Sequence, residues 1–306
     1  MQFKTELSRE TGFGAFNCRW LPQGKAEMMQ NVNPIPGLTG PNWRQLLGIT
    51  MLVFCLGCQT TTAENTKSAA TFRVMTYNIH HGEGLDGKID LPRIAGVIRR
   101  ERVDIVALQE VDKGVKRTDR RDLPAELAVL TGLSCVFSNN FHYQGGQYGN
   151  AVLTRFPVLS ATNSLYQMLR TNEQRGILQL TLEVHGRRLV FMNTHIDYRG
   201  DDTERLLNAR EIQALAARYA GTPVILCGDF NDTPNSRVHQ HLQEIFEDAW
   251  ELTGQDEGWT FPADKPRKRI DYVWITKGSG IETTEAHVPE SDASDHRPLV
   301  VELHIK

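Results

Sequence analysis

From Thr71 onward one device recurs along the chain: a short apolar run of strand length gives way at its end to a polar cluster. The run 72–78 ends in Asn78, 105–109 is followed by Glu110, and 188–193 leads into Thr194, His195 and Asp197. The run 224–227 is followed by Gly228, Asp229, Phe230 and Asn231. Ile270 precedes Asp271, and Ser294, Asp295 and His296 stand just before the last run, 299–304. Apolar strands stack side by side in a sheet, so polar residues at their ends are delivered together to one rim. The chain must therefore build a rigid sheet scaffold that gathers carboxylates, amides and imidazoles at an edge.

Helix-like segments lie between these runs. Asp90 caps a helix expected to reach Arg102, with Pro92 in its first turn, where a missing N–H costs nothing. A short helix is expected over 124–130. The clearest spans 203–220, with Ala209, Ile212, Leu215, Ala216 and Tyr219 on one face. Further strands are expected over 151–154, 177–184 and 188–193, the last two joined by a His185-Gly186 hairpin turn. Hairpins mixed with helices point to an α/β chain with mixed sheets, not a doubly wound parallel sheet. No GxGxxG opens a helix, and neither GxxxxGK[ST] nor GxSxG occurs, so dinucleotide, P-loop and serine-hydrolase chemistry lack their handles.

The first seventy residues are of another kind. Residues 1–45 show no strand or helix period and are punctuated by Pro34, Pro36, Gly37, Gly40 and Pro41. LLGITMLVFCLGC (46–58) is uncharged and apolar. Its 13 residues fall short of the roughly 20 that cross a bilayer core as a helix. With Arg44 as flank, it fits the core of a secretory signal. Leu56-Gly57-Cys58 resembles the processing site of bacterial lipoproteins, which puts a lipid anchor on Cys58, although Cys55 stands where such sites usually carry Leu. The polar run QTTTAENTKSAA (59–70) reads as a flexible tether. The stretch ahead of Arg44 is long for a signal, so the expected start is Met28 or Met29. The length of 306 residues suggests about two domains. The better partition is an extension with a signal-like segment (1–58), a tether (59–70) and one catalytic domain (71–306). The product is expected to be exported, membrane-anchored and monomeric.

Composition excludes several classes. The 34 basic and 37 acidic residues leave a net charge of −3, which argues against a broad basic nucleic-acid surface. Five cysteines without a CxxC repeat exclude a disulfide mini-domain and a Cys-rich zinc module. Cys135 and Cys227 lie in apolar runs and read as small core residues.

The clustered residue types carry the chemistry. Asn78, Glu110, Asp229, Asn231 and Asp295 offer oxygen donors to a hard divalent cation such as Mg²⁺. His195 and His296 can act as acid, base or phosphate clamp. Carboxylates, amides and histidines with no Ser or Cys nucleophile fit attack of an activated water on a phosphoester. Each residue taken singly reads as an N-cap, an Asx turn or a structural histidine. Six coincidences together read as a site.

The ordered blocks MTYNIHHG (75–82), ALQEVD (107–112), YGNAVLTRFP (148–157), QRGIL (174–178), NTHID (193–197), CGDFND (227–232), RIDYVW (269–274) and SDHRPLV (294–300) resemble the endonuclease/exonuclease/phosphatase superfamily over essentially all of 71–306. The resemblance implies a four-layer sandwich of two packed mixed β-sheets flanked by helices. It also implies hydrolysis of a phosphoester with Mg²⁺ or Mn²⁺. Carried over block by block, Glu110 is the main metal ligand, assisted by Asn78 and Asp295. Asp229 orients or deprotonates the water, and Asn231 holds it or a phosphate oxygen. His296 contacts the phosphate, with Asp271 fixing its tautomer, and His195 serves the transition state or the leaving group. The resemblance leaves the general base open. Asn150, Arg175 and His81 are further substrate-side candidates, with a structural role open for each; Arg175 could clamp a phosphate bidentately.

The substrate class stays wide: small molecule, lipid head group or nucleic acid. A sphingomyelinase-like lipase, a DNA nuclease and a phosphate-binding module are the alternatives. Only Arg267-Lys268-Arg269 and Arg120-Arg121 could grip DNA, no long apolar hairpin is visible, and Trp259 and Phe261 could stack on a base or sugar.

Overall fold

The computed structural model describes residues 70–305. The signal-like segment 46–58, Cys58 and nearly all of the tether lie outside the described residues. In chain order the strands are β1 (Ala70–Asn78), β2 (Ile105–Lys113), β3 (Ser134–Tyr143), β4 (Gly146–Thr154), β5 (Val158–Leu165) and β6 (Gly176–Val184). Then come β7 (Arg187–His195), β8 (Val224–Asp229), β9 (Phe246–Asp248), β10 (Asp271–Thr276), β11 (Ile281–His287) and β12 (Leu299–Ile305). The helices are α1 (Leu91–Arg100), α2 (Leu123–Thr131), α3 (Thr203–Ala217), α4 (Arg237–Leu242) and α5 (Ala249–Thr253). One six-stranded sheet runs β11-β12-β1-β2-β4-β3 and the other β5-β6-β7-β8-β10-β9. β1–β2 and β7–β8 pair in parallel and the other neighbours antiparallel, so both sheets are mixed, as expected.

Strand alternation builds the layers. In β1, Phe72 and Val74 join the core between the sheets, while Met75 and Tyr77 pack with Ile94 and Ile98 of α1. In β8, Ile225 and Cys227 face the other sheet, while Val224 and Leu226 pack with Ala209 and Ile212 of α3. Each fully buried Leu, Ile or Phe contributes about 1.5–3 kcal/mol, so both faces of each central strand are committed to packing. This explains why these runs read as apolar throughout.

Caps and turns follow the local chemistry. The Asp90 side chain accepts from Arg93 N at 3.0 Å, as expected, and α1 stops at Arg100. His185 (φ 50°) and Gly186 (φ 76°) make the β6–β7 turn with both residues left-handed, the twist a two-residue hairpin requires. The helix expected over 203–220 ends at Ala217. β3, β5, β9 and β11, together with α4 and α5, carry no clear pattern in the sequence. The four strands are the outer strands of the two sheets, half solvated and therefore without a continuous apolar run.

Candidate active site

The alternation that builds the core also aims the site. The even-numbered residues of β1 that face the other sheet end at Asn78, and the odd-numbered ones of β7, β8 and β10 reach His195, Asp229 and Asp271. In the second sheet His195 pairs with Asp229 and Asp229 with Asp271, so three site residues lie in one row. Glu110 breaks the alternation: unperturbed, it would share the outer face of Val106 and Leu108. A register shift between Leu108 and Val111, with Glu110 at φ 57°, re-aims it, a common use of a β-bulge. Gly228 allows the close approach of β8 to β7, since a Cβ there would lie 2.1 Å from Thr194 O.

Asp229 Oδ2 is the hub. It accepts from Asn78 Nδ2 at 3.0 Å and lies 3.4 Å from His195 Nε2 and 3.8 Å from His296 Nε2. Asn78 Nδ2 also reaches Glu110 Oε1 at 3.1 Å, joining the two sheets at the rim. Asp229 Oδ1 accepts from Asn231 N at 2.9 Å. Asn231 Nδ2 donates to Ile196 O and stands 3.0 Å from His195 Nε2. His296 Nδ1 lies 2.9 Å from Asp271 Oδ2. Asp271 Oδ1 is buried without a partner. Ser294 Oγ donates to Asn78 O at 2.8 Å, pinning the loop that carries Asp295 and His296.

Electrostatics sort the roles. Burial opposes charge on His296, but the Asp271 carboxylate, by charge and hydrogen bond, with help from Asp229 and Asp295, pushes it up to about 10. Burial and the neighbouring Asp271 charge hold Asp229 well above the usual carboxylate range. Burial, Arg175 and His296 push His195 well down, so this ring is neutral. Arg175 Nη1 lies 2.9 Å from His195 Nδ1. A guanidinium can only donate, so Nδ1 accepts, while Nε2 stands between the Asn231 amide and Asp229 Oδ2.

Glu110, Asp229, Asn231, His195, His296, Asp295 and Arg175 line one cavity of about 280 Å³. Asn78 and Asp271 stand behind it, bonded to its walls. Asn150 is turned elsewhere: it is buried, and its amide donates to Gly176 O and Asn193 O. His81 is 7% exposed and is not part of the cavity wall. Burial and Arg117 lower it to about 4, and its Nε2 faces Glu83 at 3.5 Å. The sequence reading missed the far wall: Arg117, Phe141, Tyr143, Tyr148, Glu173 and Tyr198. Half of it, Phe141, Tyr143 and Tyr148, comes from the β3–β4 hairpin, whose polar strand β3 gave no signal. Arg117 is bidentate to buried Asp112 and stacks on Tyr143 and Tyr148.

The donor set suits a cation. Glu110 and Asp295 line the cavity, with the Asn78 amide held beside Glu110. The Asn78 oxygen accepts from His80 N, so the donors that face the hollow are the two carboxylates, which suit a hard divalent ion.

A pair of packed mixed sheets thus presents an Asp–His–Asn cluster at one rim. Residues 75–296 match the Endonuclease/Exonuclease/phosphatase family, and the chain belongs to it. Members of this family hydrolyse phosphoester bonds. The uncharacterized protein YbhP of Escherichia coli (strain K12) is 28% identical over 259 residues, covering 77% of this chain and 97% of YbhP. An endonuclease/exonuclease/phosphatase structure from Beutenbergia cavernae superposes with a TM-score of 0.64 at 25% identity, over 77% of this chain and 72% of that one. The mannosyl-6-phosphatase Bt3783 of Bacteroides thetaiotaomicron superposes with a TM-score of 0.63 at 17% identity, over 76% and 99%.

Proposed function

We propose that the cavity hydrolyses a compact, soluble phosphoester with a divalent cation and an activated water. The observation that carries this reading is Asp229 Oδ2, on which Asn78, His195 and His296 converge from two sheets. A general base works best when its proton affinity sits near the working pH, and Asp229 is raised toward it. His296, raised to about 10 beside Asp271, favours its protonated form and is better suited to donate to the phosphate. Asp229 therefore orients the water and takes its proton. His296 donates from Nε2 to a phosphoryl oxygen, and Asp271 holds its ring in place. Asn231 and neutral His195 serve the transition state from beside Asp229, with Arg175 behind His195. Glu110, Asn78 and Asp295 would hold Mg²⁺ or Mn²⁺, which neutralises phosphoryl charge and favours departure of the leaving oxygen.

The far wall favours a small ester. Phe141, Tyr143 and Tyr198 flank a hollow of about 280 Å³, with Arg117 and Arg175 as its cations. That size fits one phosphorylated ring better than a duplex or a bilayer. The apolar run 46–58 and Cys58 support export and a lipid anchor on the outer face of the inner membrane, with 71–306 as the catalytic domain and the monomer as working unit.

The test is hydrolysis of bis-p-nitrophenyl phosphate and a sugar-phosphate and nucleotide panel, with Mg²⁺ or Mn²⁺ and with chelator. Metal-dependent turnover that Asp229→Ala abolishes is expected. Equal, negligible rates in wild type and Asp229→Ala would leave only a phosphate-binding module, and preferential turnover of sphingomyelin vesicles or plasmid DNA would overturn the compact-substrate reading. A Cys58→Ala variant should leave the membrane fraction; if it stays there, the anchor idea fails.

A further inference from the structure

The turn after β1 places two histidines beside Glu110. His80, His81 and Glu110 each bring a donor atom within 4.8 Å of the others. The two rings meet edge to face with centroids 4.4 Å apart. His80 Nδ1 also stands 3.9 Å from Asp295 Oδ1, so His80 lies among the carboxylates already facing the cavity.

His81 supplies an independent observation. It is 7% exposed, and its Nδ1 is buried with no hydrogen-bond partner. Its Nε2 faces the Glu83 carboxylate at 3.5 Å. A carboxylate beside Nε2 favours the proton there, which leaves Nδ1 as the open nitrogen of the ring. A carboxylate fixing one ring nitrogen while the other stays open is the usual setting of a metal-ligating histidine. The backbone here is also in an unfavourable form: His80 (φ 42°), His81 (φ 46°) and Glu110 (φ 57°) are all left-handed without being glycine. Such conformations persist where the surrounding structure enforces them, commonly at ligand clamps.

We propose that the cation centre at Glu110 is a mixed imidazole–carboxylate site, in which His80 and His81 join Glu110 and select a first-row transition ion such as Mn²⁺, Co²⁺ or Zn²⁺ over Mg²⁺. Imidazole suits these ions, whereas Mg²⁺ demands oxygen ligands. The inference rests on the reading of the cavity as metal-dependent, and it narrows which metal.

The experiment uses Mn²⁺ alone with the full chain. Pulsed electron paramagnetic resonance of bound Mn²⁺ should show ¹⁴N coupling from imidazole, lost in a His80→Gln/His81→Gln variant. By calorimetry that variant should bind Mn²⁺ about 10–100-fold more weakly, with Mg²⁺ affinity changed less than about twofold. Wild-type protein that binds Mn²⁺ without ¹⁴N coupling overturns the proposal, and this arm does not depend on the variant folding. Equal loss of both metals overturns it as well. Nitrogen coupling without turnover of any phosphoester would uphold the centre and sink the enzymatic reading; turnover with Mg²⁺ and no nitrogen coupling would do the reverse.

Discussion

His296 Nδ1 stands 2.9 Å from Asp271 Oδ2, with both side chains buried and the opposite ring nitrogen 3.8 Å from Asp229. Asp271→Asn removes the charge that raises this imidazole. Turnover should fall about 10²–10⁴-fold, and the His296 titration followed by NMR should move down from about 10. The pH sign follows from linkage. A histidine raised above its ordinary value stabilises the fold fully below about pH 6.5, and this contribution fades as pH rises through 10. The urea-measured stability gap between wild type and variant should be widest near pH 6 and close toward pH 10. A gap that widens with pH would contradict the pairing.

His195 runs the other way. Burial first, then the Arg175 charge, holds its ring neutral. The unfolded chain takes up that proton first as pH falls below about 6.5, so His195 destabilises the fold on the acid side. Arg175→Gln should raise the His195 titration by NMR and weaken substrate binding, seen as a rise in KM of about tenfold. An unchanged His195 titration would mean the 2.9 Å contact carries no charge effect.

The two sheets are joined by a buried amide. Asn193 Nδ2 donates to Leu108 O at 2.9 Å and Ala151 O at 2.8 Å, while its Oδ1 accepts from Gln109 Nε2 at 2.8 Å. Asn193→Ala leaves these buried groups unmatched, and the denaturant midpoint should report a loss of about 2–4 kcal/mol. A change below the error of the titration would show that these bonds are replaced.

Neither described thiol is poised to react. Burial pushes the Cys135 thiol up to about 12 and holds the Cys227 thiol well above its ordinary value. Alkylation at pH 8, read peptide by peptide, should leave both unmodified in the native chain and label both in urea. Rapid native labelling of Cys227 would contradict its place between the sheets.

The eight inner strands of the two sheets were legible because both faces of each are packed, leaving unbroken apolar runs such as those of β1, β8 and β10. The outer strands were not: β5 (VLSATNSL) and β11 (IETTEAH) satisfy water on one side. The rim residues were legible for the same reason as the core, since they continue its alternation by one step. Glu110 was found by its neighbours, but the bulge that turns it inward has no glycine or proline to announce it. The aromatic wall escaped because Phe141 and Tyr143 lie on the polar edge strand β3, where single aromatics carry no pattern, and Tyr148 lies at the start of β4, ahead of its apolar run.

The Asn78 amide has a mechanical meaning. It ties Glu110 of the first sheet to Asp229 of the second, so the carboxylates proposed for the cation and for the water stand on opposite plates of the sandwich. A slide of one plate past the other by a fraction of a strand repeat would leave every backbone ladder intact and still separate them. Catalysis is thus a vernier on the alignment of the two plates. On warming, turnover should vanish before circular dichroism records any loss of strand.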